Sequence, residues 1–270
     1  MDNRIDQTFA TLRAGGQRAF IAYIGAGDPS LAATVDLALA LEQAGVDILE
    51  LGVPFSDPMA DGVVNQLAAQ RGLAAGTTLR GVIGAVRAIR ARSELPIVIY
   101  TYMNPVYQYG FAQFMADAEG AGVDGVLLLD LPPDEDHGEF NIPSGVRRIR
   151  LVAPTTPPER VAELARRAEG FIYYVSREGV TGEQTSVAHS IAQGVAAIRA
   201  VSDLPVAVGF GISTPEQACE VAALADGAVV GSAIVKRIAE FGSQPDLARR
   251  VAEFVRPLAA ATKGFDKWSL

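Results

Sequence analysis

Apolar, strand-like runs alternate with helix-like segments along the 270 residues, and this alternation predicts an α/β protein. Eight such pairs can be counted, and residues 89–97 (IRARSELPI) resemble residues 198–206 (IRAVSDLPV), four pairs later. Eight self-similar units predict a closed (β/α)8 barrel, a TIM barrel, as one domain over 1–270 with an N-terminal helix. The alternative is an open doubly wound sheet, which the lack of Gly-x-Gly-x-x-Gly after the first strand disfavours.

The predicted strands are short apolar runs bounded by glycine, proline or polar residues. They cover residues 19–24, 46–51, 96–101, 123–130, 148–153, 170–176, 205–209 and 227–231.

Helix signals lie between these strands. Ser30 is a candidate N-cap for an apolar stripe that repeats every four residues, and Gly45 follows the end of that helix. Residues 156–159 (TPPE) predict a capping box with proline at the first helical position, and residues 214–217 (TPEQ) predict the cap of a later helix. Further helices are expected at about residues 65–75, 79–92 and 111–121. Another helix is expected to end at about residue 200, and the chain after residue 231 is expected to be helical.

Two segments break the helical pattern. Residues 136–147 contain proline and glycine that would interrupt the fourth helix, so at most a turn or two is expected there. Residues 178–190 are polar and without periodicity, which predicts a mobile lid.

Composition excludes several functional classes. A net charge of −8 argues against nucleic-acid and anionic-membrane surfaces, and no apolar run reaches the length of a membrane span. The single Cys219 and a polar N-terminus without a signal-peptide core predict a cytoplasmic protein. His137 and His189 both lie in predicted loops without other ligands at metal-binding spacing, so we expect no metal site.

One buried-strand run, residues 46–51, carries a carboxylate, Glu50. An unpaired buried charge is unfavourable, so Glu50 indicates either a partner or a function. A glycine and two prolines then predict a turn-rich loop that carries Asp57 and Asp61. These acids outline an acid–base site; the alternative is a paired glutamate with two helix-capping aspartates.

In a barrel the carboxyl ends of all strands share one face. We therefore expect Glu50, Asp61 and Asp130 at the same mouth as the glycine-bearing loops 209–213 and 231–232, which follow strands seven and eight. Backbone N–H groups at these two positions commonly bind phosphate in barrels. The alternative is that the glycines only permit tight turns.

Several segments match one enzyme family in order, between about residues 22 and 235. The most specific is LELGVPFSDP at 49–58 with ADG at 60–62; the others are GDP at 27–29, DLPP at 130–133, LVAPTT at 151–156, GVTG at 179–182, GFGIS at 209–213 and GSAIV at 231–235. On these segments the chain resembles the alpha subunit family of tryptophan synthase.

The resemblance implies a barrel lyase of tryptophan biosynthesis that cleaves indole-3-glycerol phosphate to indole and glyceraldehyde 3-phosphate, without a cofactor of its own. It also implies a pyridoxal-phosphate beta subunit as partner, in an alpha2beta2 assembly. The alternatives are a free-standing lyase, a mainly allosteric activating subunit and, more remotely, a generic phosphate-barrel isomerase.

The resemblance further implies roles for individual residues. Glu50 corresponds to the family's acid–base glutamate, and Asp61 to the aspartate that meets the indole N–H. The indole pocket corresponds to Tyr23, Tyr100, Leu127 and Tyr173. The phosphate site corresponds to Gly182, Phe210, Gly211, Gly231 and Ser232. Arg177 and Thr181 fall on the lid, where Thr181 would position Asp61 on closure.

The chain departs from the family pattern at three places. Gly25 stands where the family commonly has Thr, Val63 where it usually has Pro, and residues 136–147 form a shorter fourth connection. None of these changes removes Glu50 or Asp61, whose presence argues against a purely allosteric subunit. Because this connection is shortened, the resemblance supports the beta-subunit partner less strongly than it supports the cleavage reaction.

Overall fold

Eight parallel strands hydrogen-bond in sequence order, and the last pairs with the first to close a barrel. The computed structural model describes residues 3–132, 144–175 and 184–264. The strands are β1 (Ala19–Gly25), β2 (Ile48–Gly52), β3 (Ile97–Thr101), β4 (Gly125–Leu128), β5 (Arg147–Val152), β6 (Ile172–Val175), β7 (Val206–Gly209) and β8 (Gly227–Val230). The predicted fold class is therefore confirmed.

Helices surround the strands. They are α1 (Arg4–Ala14), α2 (Leu31–Gln43), α3 (Val63–Ala74), α4 (Leu79–Arg90), α5 (Met103–Tyr109), α6 (Phe111–Ala121), α7 (Pro158–Arg167), α8 (Gln184–Arg199), α9 (Pro215–Leu224), α10 (Ser232–Phe241) and α11 (Leu247–Ala261). Within the described ranges no helix has both the length and the apolar character needed to cross a bilayer.

Alternate residues of each strand enter two different apolar layers, because successive side chains of a strand point to opposite faces. On β2, Ile48 belongs to the cluster inside the barrel, whereas Leu49 and Leu51 belong to the layer between strands and helices. Glu50 has the same parity as Ile48. Its side chain therefore points into the barrel interior.

Helix α1 packs against the inner cluster with Ile5, Phe9 and Leu12. The Phe9 ring lies 5.6 Å from that of Phe171, the residue just before β6. The amino-terminal end of the barrel is thus covered by apolar side chains, which leaves the opposite end as the accessible mouth.

The helix caps agree with the sequence at two of three predicted positions. Ser30 accepts a hydrogen bond from the Ala33 N–H at 3.1 Å, and Thr214 forms a capping box with Gln217. The capping box predicted at Thr156 is wrong: Pro157 is the cap residue of α7 and makes no side-chain cap bond. The Thr156 hydroxyl instead accepts from the Ala153 N–H, which holds the loop after β5.

The lid prediction for 178–190 is wrong over its second half. Residues 184–190 form the start of α8, whose Ile191, Val195 and Ile198 are buried at helical spacing, so the helix continues back into the polar segment. His189 is consequently an exposed helical residue beside Gln193, not a loop residue. The first half of the predicted lid, His137 and most of the shortened fourth connection lie outside the described residues.

Candidate active site

Glu50 lies at the carboxyl end of β2 and is fully buried, although both of its carboxylate oxygens lack a hydrogen-bond partner. Its strand neighbours in register are Tyr23 on β1 and Val98 on β3. Burial alone raises the pKa of Glu50 to about 8, because no nearby donor or cation stabilises the charged form. At neutral pH this side chain is a protonated acid.

A cavity of about 170 Å³ joins Glu50 to the two predicted phosphate loops. Its walls include Glu50, Asn65 and the residues Tyr23, Tyr100, Tyr173, Val175, Gly209, Phe210, Gly211, Val229, Gly231 and Ser232. Residues 50 and 211 are far apart along the chain but adjacent in space, because all strand ends meet at this mouth. The predicted convergence of the acid and the glycine loops is present.

The two glycine loops have a geometry suited to an anion. Gly211 has φ +86°, a left-handed conformation that favours glycine, and a Cβ built there meets no atom within 4 Å. Gly231 and Ser232 form the N-terminus of α10, where the first backbone N–H groups have no partner within the helix. Both loops can therefore bring main-chain donors to a phosphate.

Asp61 lies on the β2–α3 loop and is held by two tyrosines from the end of β3. The Tyr102 hydroxyl donates to Asp61 Oδ2 at 2.7 Å, and the Tyr100 hydroxyl donates to Oδ1 at 3.2 Å. Burial raises the pKa of Asp61, while the bonds from Tyr102, Tyr100 and the Asn65 side chain oppose that rise. The carboxylate is thus fixed in orientation before any ligand binds.

The phenols around the cavity remain neutral. Burial raises the pKa of Tyr23, Tyr100 and Tyr173 well above the usual value, and the neighbouring acids Glu50 and Asp61 raise it further. Tyr23 and Tyr100 pack edge to face with ring centroids 5.0 Å apart. These rings give the cavity flat apolar walls with polar hydroxyl groups at their edges.

Comparison with known proteins identifies the family. The model of the tryptophan synthase alpha chain family matches residues 9–263. The chain belongs to this family. It is 52% identical to the tryptophan synthase alpha chain of Geobacter sulfurreducens over 262 residues, covering 96% of this chain and 98% of the relative. The relative from Opitutus terrae is also 52% identical, over 97% of this chain and 99% of its own length.

Solved structures agree with this assignment. The tryptophan synthase alpha subunit of Legionella pneumophila str. Paris superposes with a TM-score of 0.90 at 38% identity, covering 98% of this chain and 100% of that one. The predicted family and its lyase class are therefore confirmed. The roles of individual residues stay predictions.

The structure brings most of the predicted tryptophan synthase alpha chain site residues together. Leu127 is different: it is fully buried within the inner cluster against which Tyr100 and Tyr173 pack, and it does not line the cavity that contains Glu50. Arg177, Thr181 and Gly182 lie outside the described residues. In the described part of the chain no group of His, Cys, Asp and Glu side chains is arranged to hold a metal ion.

Two acids predicted at this mouth lie away from the cavity. Asp57 is exposed and accepts a hydrogen bond from the Ser56 hydroxyl. Asp130 is exposed and accepts from the Met103 N–H at 2.6 Å, at the first residue of α5. Both fit the helix- and turn-stabilising alternative rather than the acid–base one.

The sequence prediction missed two polar residues at the site, Asn65 and Tyr102, along with the apolar wall residues Val175 and Val229. Tyr102 follows the end of β3, and its hydroxyl both donates to Asp61 and accepts from the Ala60 N–H. Its position just beyond a strand end was a usable signal. Asn65 lies in the first turn of α3, four residues after the loop residue Asp61, and its amide beside the alanines and glycine of that helix face was the available signal.

Proposed function

We propose that this chain catalyses the retro-aldol cleavage of indole-3-glycerol phosphate, with Glu50 and Asp61 as its catalytic residues. One observation carries the proposal: a buried, unpartnered carboxyl group shares a cavity with two glycine loops suited to phosphate. A carboxyl group without a partner is available for proton transfer. The anion-binding loops place a phosphorylated substrate against it.

Glu50 acts as acid and then as base. Protonated at neutral pH, it gives its proton to C3 of the indole ring, which produces the indolenine and leaves a carboxylate. That carboxylate then takes the proton of the C3′ hydroxyl. The C3–C3′ bond breaks, its electron pair returns to the ring, the hydroxyl carbon becomes the aldehyde, and Glu50 is protonated again.

Asp61 stabilises the positive charge that develops on the ring nitrogen. In its ionised form, Asp61 accepts a hydrogen bond from the indole N–H. The attraction between the carboxylate and the ring nitrogen strengthens as the indolenine forms. Its bonds from Tyr100 and Tyr102 favour the ionised form and hold both oxygens in place. Tyr23, Tyr100 and Tyr173 pack against the ring, while the loops at Gly211 and Ser232 bind the phosphate.

The proposal also includes three predicted lid residues, Arg177, Thr181 and Gly182, whose roles rest on the sequence resemblance alone. Thr181 would contact Asp61 when the lid closes, and Gly182 would approach the phosphate. Closure of such a loop excludes water and commits the bound substrate.

The partner is a tryptophan synthase beta subunit in an alpha2beta2 assembly, and the compartment is the cytoplasm. The supporting observation is exposed apolar surface beside the mouth: Met59 is 89% exposed, Val63 70% and Tyr107 65%. These residues follow β2 and β3, whose ends carry Glu50 and Tyr100. Large exposed apolar groups next to a site mark a contact surface for a partner.

The proposal is tested by measuring indole release by purified wild-type, Glu50→Gln and Asp61→Asn proteins, with and without a beta subunit. We expect Glu50→Gln to lower kcat by about 10³-fold or more and Asp61→Asn by about 10²-fold, as for lost acid–base and electrostatic groups. Exposed Asp57→Asn is the matched control and keeps wild-type cleavage. Wild-type rates in Glu50→Gln would refute the catalytic assignment.

The same assay separates the alternatives. A free-standing lyase releases indole at full rate alone, whereas a subunit of the assembly is activated by the beta subunit. A purely allosteric subunit activates its partner but shows no cleavage that depends on Glu50.

A further inference from the structure

Asn65, in the first turn of α3, has an unsatisfied amide oxygen. Its Oδ1 is buried and has no hydrogen-bond partner, as is true of both carboxylate oxygens of Glu50. Buried acceptors in folded proteins are nearly always paired, since leaving one without a donor is unfavourable. An acceptor left open beside a ligand cavity is explained when the ligand brings the donor.

Asn65 lies between the two proposed catalytic acids. It lines the cavity that contains Glu50 and also a wider one of about 490 Å³ that contains Asp61. Tyr100, which donates to Asp61, lines both as well. The Asn65 side chain has a polar interaction with Asp61, to which an amide can contribute only its NH₂ group. That orientation leaves Oδ1 as the free acceptor.

We propose that Asn65 is a substrate-binding residue whose Oδ1 shares the single indole N–H with the Asp61 carboxylate, in a bifurcated hydrogen bond. This inference rests on the proposed function. It adds a specificity element that selects a ring with an N–H donor over rings of the same shape that lack one.

The choice of an amide has an electrostatic reason. The carbonyl oxygen carries a partial negative charge, so it stabilises the cationic ring nitrogen of the indolenine. A second carboxylate at this position would repel Asp61 and disfavour its ionised form. An amide therefore adds attraction for the N–H without disturbing the acid beside it.

The test compares two unreactive ligands of the same shape, 3-(indol-3-yl)propyl phosphate and 3-(benzofuran-3-yl)propyl phosphate. The second has a ring oxygen in place of the N–H. Their dissociation constants are measured by titration calorimetry with the wild type, Asn65→Leu and Gln70→Leu. Gln70 is an exposed residue of the same helix and provides the matched control.

We expect the wild type and Gln70→Leu to share one preference for the indole ligand. In Asn65→Leu that preference falls about fivefold or more, which is the typical effect of one lost hydrogen bond. Asp61 remains in all three proteins, so some preference persists. An unchanged preference in Asn65→Leu would overturn the inference.

A stability measurement separates this role from a structural one. Asn65→Leu removes an unpaired buried acceptor but also the bond from its NH₂ group to Asp61, and these two effects on stability oppose each other, so its urea midpoint is expected to lie close to that of the wild type. A lower midpoint with unchanged ligand preference would show that Asn65 only supports the fold, and would also overturn the inference. If wild-type protein cleaves the substrate and only this preference test fails, the proposed function stands and only the role of Asn65 is lost.

Discussion

The two ends of the barrel bury an acidic side chain in opposite ways. At the amino-terminal end, Asp124 is 2% exposed and accepts hydrogen bonds from Arg90, Arg4 and the Ile97 N–H at 2.8–3.0 Å. At the mouth, Glu50 is completely buried and accepts none. Burial is nearly equal, but only one of the two acids is compensated.

This difference distinguishes an acid with a structural role, Asp124, from one with a proposed catalytic role, Glu50. Asp124 connects α1, α4, β3 and β4 through its partners, so its charge holds the closed end together. Glu50 stabilises nothing around it and keeps its proton because ionising it there is unfavourable. A buried acid without partners weakens the fold, which supports the proposed role of Glu50 in a reaction. Three measurements can break or sharpen this comparison.

The largest expected effect is the pH dependence of stability that Glu50 imposes. Its pKa is about 8 in the folded protein and near 4.5 when unfolded, so the folded state binds the extra proton between these values. Its contribution to stability is complete below pH 4.5 and is lost as pH rises through 8. At about 1.4 kcal/mol per pKa unit the loss is roughly 3–5 kcal/mol.

Reversible denaturant unfolding of wild type and Glu50→Gln across this range isolates the effect. The variant should gain stability relative to wild type from about pH 4.5 to pH 8 and hold a constant difference above it. A difference independent of pH would mean that Glu50 is ionised in the fold, and the contrast with Asp124 would disappear.

The second measurement is Asp124→Asn, which should affect stability and spare activity. Removing the charge leaves Arg90, only 13% exposed at its side chain, without its carboxylate. We expect a loss of about 3 kcal/mol in unfolding free energy, the lower end for a broken buried pair, because Arg4 is more exposed.

For this variant kcat/KM for indole release should stay within about threefold of wild type at a temperature where it is folded, since it touches no group at the mouth. Glu50→Gln is expected to do the reverse in both assays: its unfolding free energy rises and its indole release falls. A large kcat/KM defect in Asp124→Asn would show that the two ends are coupled.

The smallest expected effects come from the two tyrosines that hold Asp61. Tyr102→Phe removes the 2.7 Å bond and Tyr100→Phe the 3.2 Å bond. One lost bond to a charged group is worth about 1.5 kcal/mol, or roughly tenfold in kcat/KM, for Tyr102 and less for the longer bond. Either change should shift the pKa of Asp61 further upward and move the acidic limb of the kcat/KM profile to higher pH. Equal defects with no shift would assign both tyrosines to packing.

The sequence alone determined the barrel, the strand order and the acid at the end of β2, because each depends on local periodicity and on where a polar residue interrupts it. It also indicated Ser30 and Thr214 as caps, since those bonds form within one turn. It mispredicted Thr156 and the start of α8, where a loop contact and a continuing buried stripe decided the conformation.

Only the tertiary structure decided which polar groups have partners. The sequence does not distinguish among three aspartates that follow strands, Asp57, Asp61 and Asp130, yet of these only Asp61 lines a cavity. The fold also brings Tyr102, which follows a different strand, to Asp61. The open acceptors of Glu50 and Asn65 are likewise invisible in the sequence. Whether a hydrogen bond is made depends on distances between residues far apart in the chain, which local patterns do not contain.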